Sequence, residues 1–224
     1  PVMARTGDAA ENLWLSIWKP AVKKVDEEVA DMQKYADAHG AGYKIEAWDY
    51  YYFAEKVKAE KYNFSEDDVR PYFKLENVVE NGLFFLANKL YGLTFTKMPK
   101  APKYNPEVTV YDVKDAKGKH VAVFMTDYYP RPVKAQGAWM MEMNQAYDFG
   151  GKSERPIVYN VCSFTAPTKD IPSLLTLDEV QTAFHEFGHA LNGMLTVAPY
   201  KGLEGTNIDR DFVELPSQLN EHWA

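Results

Sequence analysis

Apolar residues in the first part of the chain recur at three- and four-residue steps. Leu13, Ile17, Ala21, Val22, Val25, Val29 and Met32 share one face of a long amphipathic helix, with Pro20 inside it as a point of kinking. His39-Gly40-Ala41-Gly42 breaks the pattern. A second helix is predicted over 47–62, with Trp48, Tyr51, Tyr52, Ala54, Glu55 and Val57 around it. Ser65-Glu66-Asp67-Asp68 reads as a helix start, and a further helix over 78–90 stops at Gly92.

The period then changes. Pro99, Pro102 and Pro106 mark a loop, and Val108 to Val113 alternates with strong β preference. Asp115 to Gly118 forms a turn and His120 to Tyr128 the returning strand, which together predict a hairpin. Residues 138–143 and 156–162 add two strands, with the polar, glycine-bearing stretch 144–155 expected as a loop. Helical periodicity returns over 177–195, where Thr176 and Glu179 form a capping box, and a last helix is predicted over 208–218. The fold class is mainly α with a small β-sheet (α+β). The regions are helical over 1–98, a small sheet over 99–172, and two helices over 173–224.

Composition narrows the function classes. Apolar residues are 46% and aromatics 14% of 224 residues, enough to build a core and to exclude a disordered chain. Net charge is −7 and no basic block is present, which argues against a nucleic-acid partner. The most apolar window, 82–93, is short and contains Asn88 and Lys89, so no membrane span is expected. Cys162 is the single cysteine, which precludes an intrachain disulfide and fits a reducing, cytoplasmic compartment. A periplasmic or exported parent is the alternative. Pro1-Val2-Met3 runs into Arg5 and Asp8 without a leader pattern. The missing initiator methionine and the abrupt end at Trp223-Ala224 are expected of a segment of a longer protein.

The chemistry lies in the third region. His185-Glu186-Phe187-Gly188-His189 is H-E-x-x-H on a predicted helix. Residues four apart lie one above the other on a helix face, so both imidazoles reach one ion. Glu186 is placed to reach a water rather than the metal, as a general base. A zinc ion held by three protein ligands keeps its fourth position for that water. Chance alone gives the pentapeptide on the order of once in a hundred such chains, and the bland alternative is a helix face with two satisfied histidines. Glu214, 25 residues beyond His189, completes a His₂Glu set if the last helix packs on the first. Asp211, one turn before Glu214, is a candidate acceptor for an imidazole N–H, or else a helix-capping acid.

Other residues carry less. Ser217 follows a proline and has no suited base nearby in sequence. Cys162 reads as a buried small hydrophobe, and Trp48 to Phe53 as core. His39, His120 and His222 read as surface or structural, although His222, eight residues past Glu214, falls near the same helix. A non-catalytic segment with a vestigial metal site is the competing class, and the intact Glu186 argues against it.

Phe184 to Leu191, Gly205-Thr206-Asn207 and Asp211 to Gln218 together resemble the thimet oligopeptidase family. Asn220 to Ala224, Gly137-Ala138-Trp139-Met140 and Arg155 to Cys162 are more similar to its bacterial peptidyl-dipeptidase (dipeptidyl carboxypeptidase) branch. Trp48 to Tyr52, Pro71-Tyr72-Phe73 and Asn105 to Val108 extend the resemblance over most of the chain. It implies a zincin-like, mostly helical fold with a small sheet flanking a deep channel, and one Zn²⁺ on His185, His189 and Glu214. It further implies Glu186 as the base and short peptides as substrates. Gly137 and Ala138 resemble the edge that pairs with the substrate backbone, with an ordinary core strand as the other reading for Trp139. Asn192 stands where many relatives carry a further histidine; it is not expected to be a ligand. Family members are several times longer. The groups that grip the substrate carboxylate and polarise the scissile carbonyl are therefore expected beyond residue 224, where the rest of the parent chain completes the channel. The segment alone is expected to be weakly active or inactive.

Overall fold

The computed structural model describes residues 4–63 and 65–224; Pro1-Val2-Met3, where a leader pattern is missing, lies outside them. The chain forms two compact units, residues 1–68 and 69–224. In the first, α1 (Gly7–Ala38) is capped by Thr6, whose hydroxyl accepts from the Ala9 N–H at 3.1 Å, and it runs on through Pro20. Its C-terminal half buries Met32 and Ala36 with Ile45 and with Phe53 of α2 (Tyr50–Tyr62). Among the aromatics expected as core, Phe53 alone is buried; Trp48, Tyr51 and Tyr52 are exposed, which corrects that reading. The surrounding residues explain the difference: a helix with Glu55, Lys56, Lys58 and Glu60 has only one narrow apolar stripe to turn inward.

The boundary between the units falls within α3 (Glu66–Val69), whose last residue opens the second unit. Its first long helical stretch runs through α4 (Leu75–Asn77), a π-helical segment (Val78–Phe84) and α5 (Phe85–Tyr91), and ends at Gly92. The sheet then forms from β1 (Thr94–Lys97), β2 (Thr109–Lys114), β3 (His120–Asp127), β4 (Trp139–Asn144) and β7 (Ile157–Val161), in the order β1-β2-β3-β7-β4. β3 and β7 are parallel and the other pairs antiparallel. The β2–β3 hairpin turns at Asp115, whose side chain accepts from the Lys117 and Lys119 amides at 2.9 Å each. The stretch 144–155 is not a loop: β5 (Tyr147–Phe149) and β6 (Lys152–Glu154) pair across Gly150 and Gly151. Both glycines have positive φ, 63° and 78°, the geometry a two-residue hairpin turn demands.

α6 (Leu177–Leu195) lies on one face of this sheet. The capping box is formed in both directions: Glu179 N–H donates to Thr176 Oγ1 at 3.1 Å, and Thr176 N–H to Glu179 Oε2 at 2.9 Å. Phe187, fully buried, packs among Phe84, Phe95 and Phe124, with ring centroids 5.6 to 6.1 Å away. This aromatic layer is joined by Leu83, Val113, Val158 and Leu175, all inaccessible to solvent, and fixes the helix rotation. The last helix, α7 (Leu215–Glu221), is shorter than the predicted 208–218. Residues 210–214 form turns, and Pro216 in the first helical turn sets the start, where its missing N–H costs nothing. Among the described residues no helix is long and apolar enough to cross a membrane.

Candidate metal centre

With Phe187 turned into the aromatic layer, the preceding and following helix positions present His185 and His189 along one face, their rings 4.9 Å apart. α7 packs against this face closely. Asn220 Nδ2 donates to the Phe184 carbonyl at 2.5 Å. A Cβ placed on Gly188 would stand 2.6 Å from Ser217 Cα and 2.7 Å from the Pro216 carbonyl, so only glycine permits the approach. The result is that Glu214, immediately before α7, extends its carboxylate over both imidazoles. Its Oε2 lies 3.2 Å from His185 Nε2 and 3.1 Å from His189 Nε2. One donor atom from each of the three residues falls within 4.8 Å of the others.

The surrounding groups orient this trio. His185 Nδ1 is 2.6 Å from Glu221 Oε1, and the Ser217 hydroxyl donates to Glu214 Oε2 at 2.8 Å. Ser217 is therefore a buried hydrogen-bonding partner of the carboxylate. Asp211 lies in the turn preceding α7 rather than one helical turn before Glu214, and Glu221 is the acid on His185. Sequence reasoning passed over Glu221; its signal was the seven-residue step from Glu214, which is two turns on a helix beginning at residue 215. His222 caps the C-terminus of α7. Gly137 and Ala138 stand just before β4, an edge strand that pairs with β7 alone among the described residues.

Burial tunes the acids. Glu186 is 6% exposed and its Oε2 has no hydrogen-bond partner. Burial pushes its carboxyl up to about 7, with His185 opposing and Glu214 adding to the rise. His189 is lowered, chiefly by burial, against the pull of Glu214. Burial would raise Glu214, but the Ser217 hydroxyl and the two histidines outweigh it and hold the carboxyl below its usual range. Cys162 is a buried free thiol, raised by burial.

A dipeptidyl carboxypeptidase of Salmonella typhimurium is 42% identical over 99% of this chain, and one of Escherichia coli 39% over the same share. An oligopeptidase A of Salmonella typhimurium is 36% identical over 92%. The chain spans about a third of the length of these curated relatives, 32%, 32% and 30% respectively. The profile of peptidase family M3 matches residues 2–224, and the chain belongs to that family.

Proposed function

We propose that this chain is the metal-holding part of a zinc-dependent peptidase that cleaves short peptides, releasing dipeptides from the C-terminus. The observation that carries the reading is the meeting of His185 Nε2, His189 Nε2 and Glu214 Oε2 around one point. The donor set fits a zinc ion. His185 Nδ1 is engaged by Glu221 Oε1 at 2.6 Å, which leaves Nε2 as the ring atom that faces Glu214 Oε2 at 3.2 Å, and the tautomer that donates from Nδ1 presents its Nε2 lone pair to a cation held there. Two imidazole nitrogens and one carboxylate oxygen suit zinc and leave a position open.

When bound, zinc supplies the Lewis acidity that makes water a nucleophile near neutral pH. The chain's own residues do the rest. Glu186, with Oε2 buried and unpartnered beside the trio, accepts a proton from the attacking water and returns it to the leaving amine. Glu221 and Ser217 fix the orientation of His185 and Glu214. The free edge of β4, entered through Gly137 and Ala138, offers main-chain donors and acceptors to an extended peptide. The remaining two-thirds of the parent supplies the groups that recognise the peptide's free carboxylate, so the segment alone is weakly active or inactive. The higher identity to dipeptidyl carboxypeptidases favours release of dipeptides over internal cleavage by an oligopeptidase.

The test uses the full-length parent. It should carry one zinc per chain, remove successive dipeptides from the carboxyl end of an N-terminally blocked oligopeptide as read by mass, and lose turnover but not metal in Glu186→Gln. Internal fragments would move it to the oligopeptidase mode. Absence of zinc, or full turnover in Glu186→Gln, would defeat the mechanism.

A further inference from the structure

Lys134 lies in the turn between β3 and β4, with its side chain 4% exposed. An ammonium has three N–H donors, and four oxygens stand within reach. They are the carbonyls of Asp127 at 2.9 Å, Tyr129 at 2.7 Å and Cys162 at 2.6 Å, and Asp127 Oδ1 at 3.0 Å. Asp127 also receives both arms of Arg131, at 2.6 and 2.8 Å, and the Tyr104 hydroxyl at 2.9 Å. Neutralising a buried lysine takes one acid. Gathering three carbonyls from the end of β3, the turn beyond it and the residue after β7 does something more: it fixes where three backbone segments stand.

The turn so held is under tension. Val133, adjacent to Lys134, has φ 65°, a region β-branched residues seldom occupy, and its exposed side chain gains nothing from burial in return. The chain then passes Gly137 and enters β4, whose first registered pair is Trp139 with Val161, the neighbour of Cys162. β4 in turn runs beside the histidine helix. A Cβ on Gly193, one turn beyond His189, would meet Met140 Cε at 3.2 Å and Glu142 Oε1 at 2.8 Å.

We propose that Lys134 is a positioning residue for peptide binding: it anchors the turn leading into β4 to the ends of β3 and β7, and so sets the register of the β4 edge against the His185–His189 face. This rests on the reading of β4 as the edge that takes up the peptide backbone.

In the full-length parent, Lys134→Met should raise KM for peptides about tenfold while kcat changes by less than about twofold. Zinc content should stay at the wild-type level. Amide hydrogen exchange should quicken over 139–144 and remain unchanged over 177–195. Lys134→Arg should bring KM part of the way back toward the wild-type value. If Lys134→Met does not fold, Lys134→Met/Asp127→Asn carries the same expectation, because it leaves neither of these two residues as a buried charge. A folded variant with wild-type KM, or one whose α6 exchange rises together with that of β4, assigns Lys134 to stability alone and overturns the inference. A wild-type parent that does not cleave peptides overturns the peptidase reading and this inference with it. A wild-type parent that cleaves, beside a variant of unchanged KM, overturns only the role of Lys134.

Discussion

Gly188 and Ser217 bring α6 and α7 into backbone contact, with the position of an absent Cβ on Gly188 only 2.6 Å from Ser217 Cα. Ser217 holds the Glu214 carboxylate, so the spacing of the two helices is also the spacing of the third donor from the histidines. Gly188→Ala should force the helices apart, at a cost of about 1 to 3 kcal/mol of stability. Zinc affinity should fall with it. Denaturant unfolding and chelator competition check the two effects, and a variant with wild-type values in both would show that the helices meet elsewhere.

Glu221→Ala should leave the fold nearly intact, since the side chain is partly exposed, yet free the His185 ring. Loss of such a partner typically costs about 10- to 100-fold in metal affinity. Glu221→Gln, which keeps an acceptor for Nδ1, should fall between wild type and alanine. Equal affinity in all three would remove Glu221 from the site.

Phe187 has the opposite profile. It faces away from the donors and into the aromatic layer, so Phe187→Ala should cost about 3 to 5 kcal/mol in unfolding free energy. Phe187→Leu, which keeps much of the volume, should recover most of this. A loss under 1 kcal/mol (roughly the tolerated range for volume-conserving changes) for the alanine variant would mean that the layer does not hold α6.

The network on Asp127 predicts a pH dependence. Burial alone would raise its carboxyl, but hydrogen bonds from Arg131, Lys134 and Tyr104 outweigh it and hold the pKa below the ordinary carboxylate value. A depressed native pKa stabilises the fold above the unfolded value, near 4, and that stabilisation is lost as pH falls through the native one. Asp127→Asn should therefore cost about 3 kcal/mol at pH 7, with the gap to wild type narrowing as the medium is acidified below pH 4. A gap independent of pH would contradict the assignment.

How far the sequence alone reaches depends on how local the cause is. The four-residue step between His185 and His189, the capping box at Thr176 and Glu179, and the β2–β3 hairpin over 109–127 are each dictated by a short continuous stretch of chain, and the structure has all three. The last helix starts seven residues later than the predicted 208, at Leu215, because Pro216 suits a first helical turn and not a helix interior. The β5–β6 hairpin was legible in Gly150-Gly151, whose pairing as a turn signal the polar composition around it obscured. Glu221 and the carbonyl-gathering role of Lys134 depend on contacts 36 and 28 residues away, which no local pattern carries.

α6 leans on β3, β4 and β7, and every one of those strands precedes it in the chain. The platform is thus made before the donors. As the polypeptide leaves the ribosome from its N-terminus, the sheet is already available when His185 and His189 emerge. Glu214, the last of the three, follows 25 residues after His189, so the donors are synthesised together in one short stretch behind the sheet.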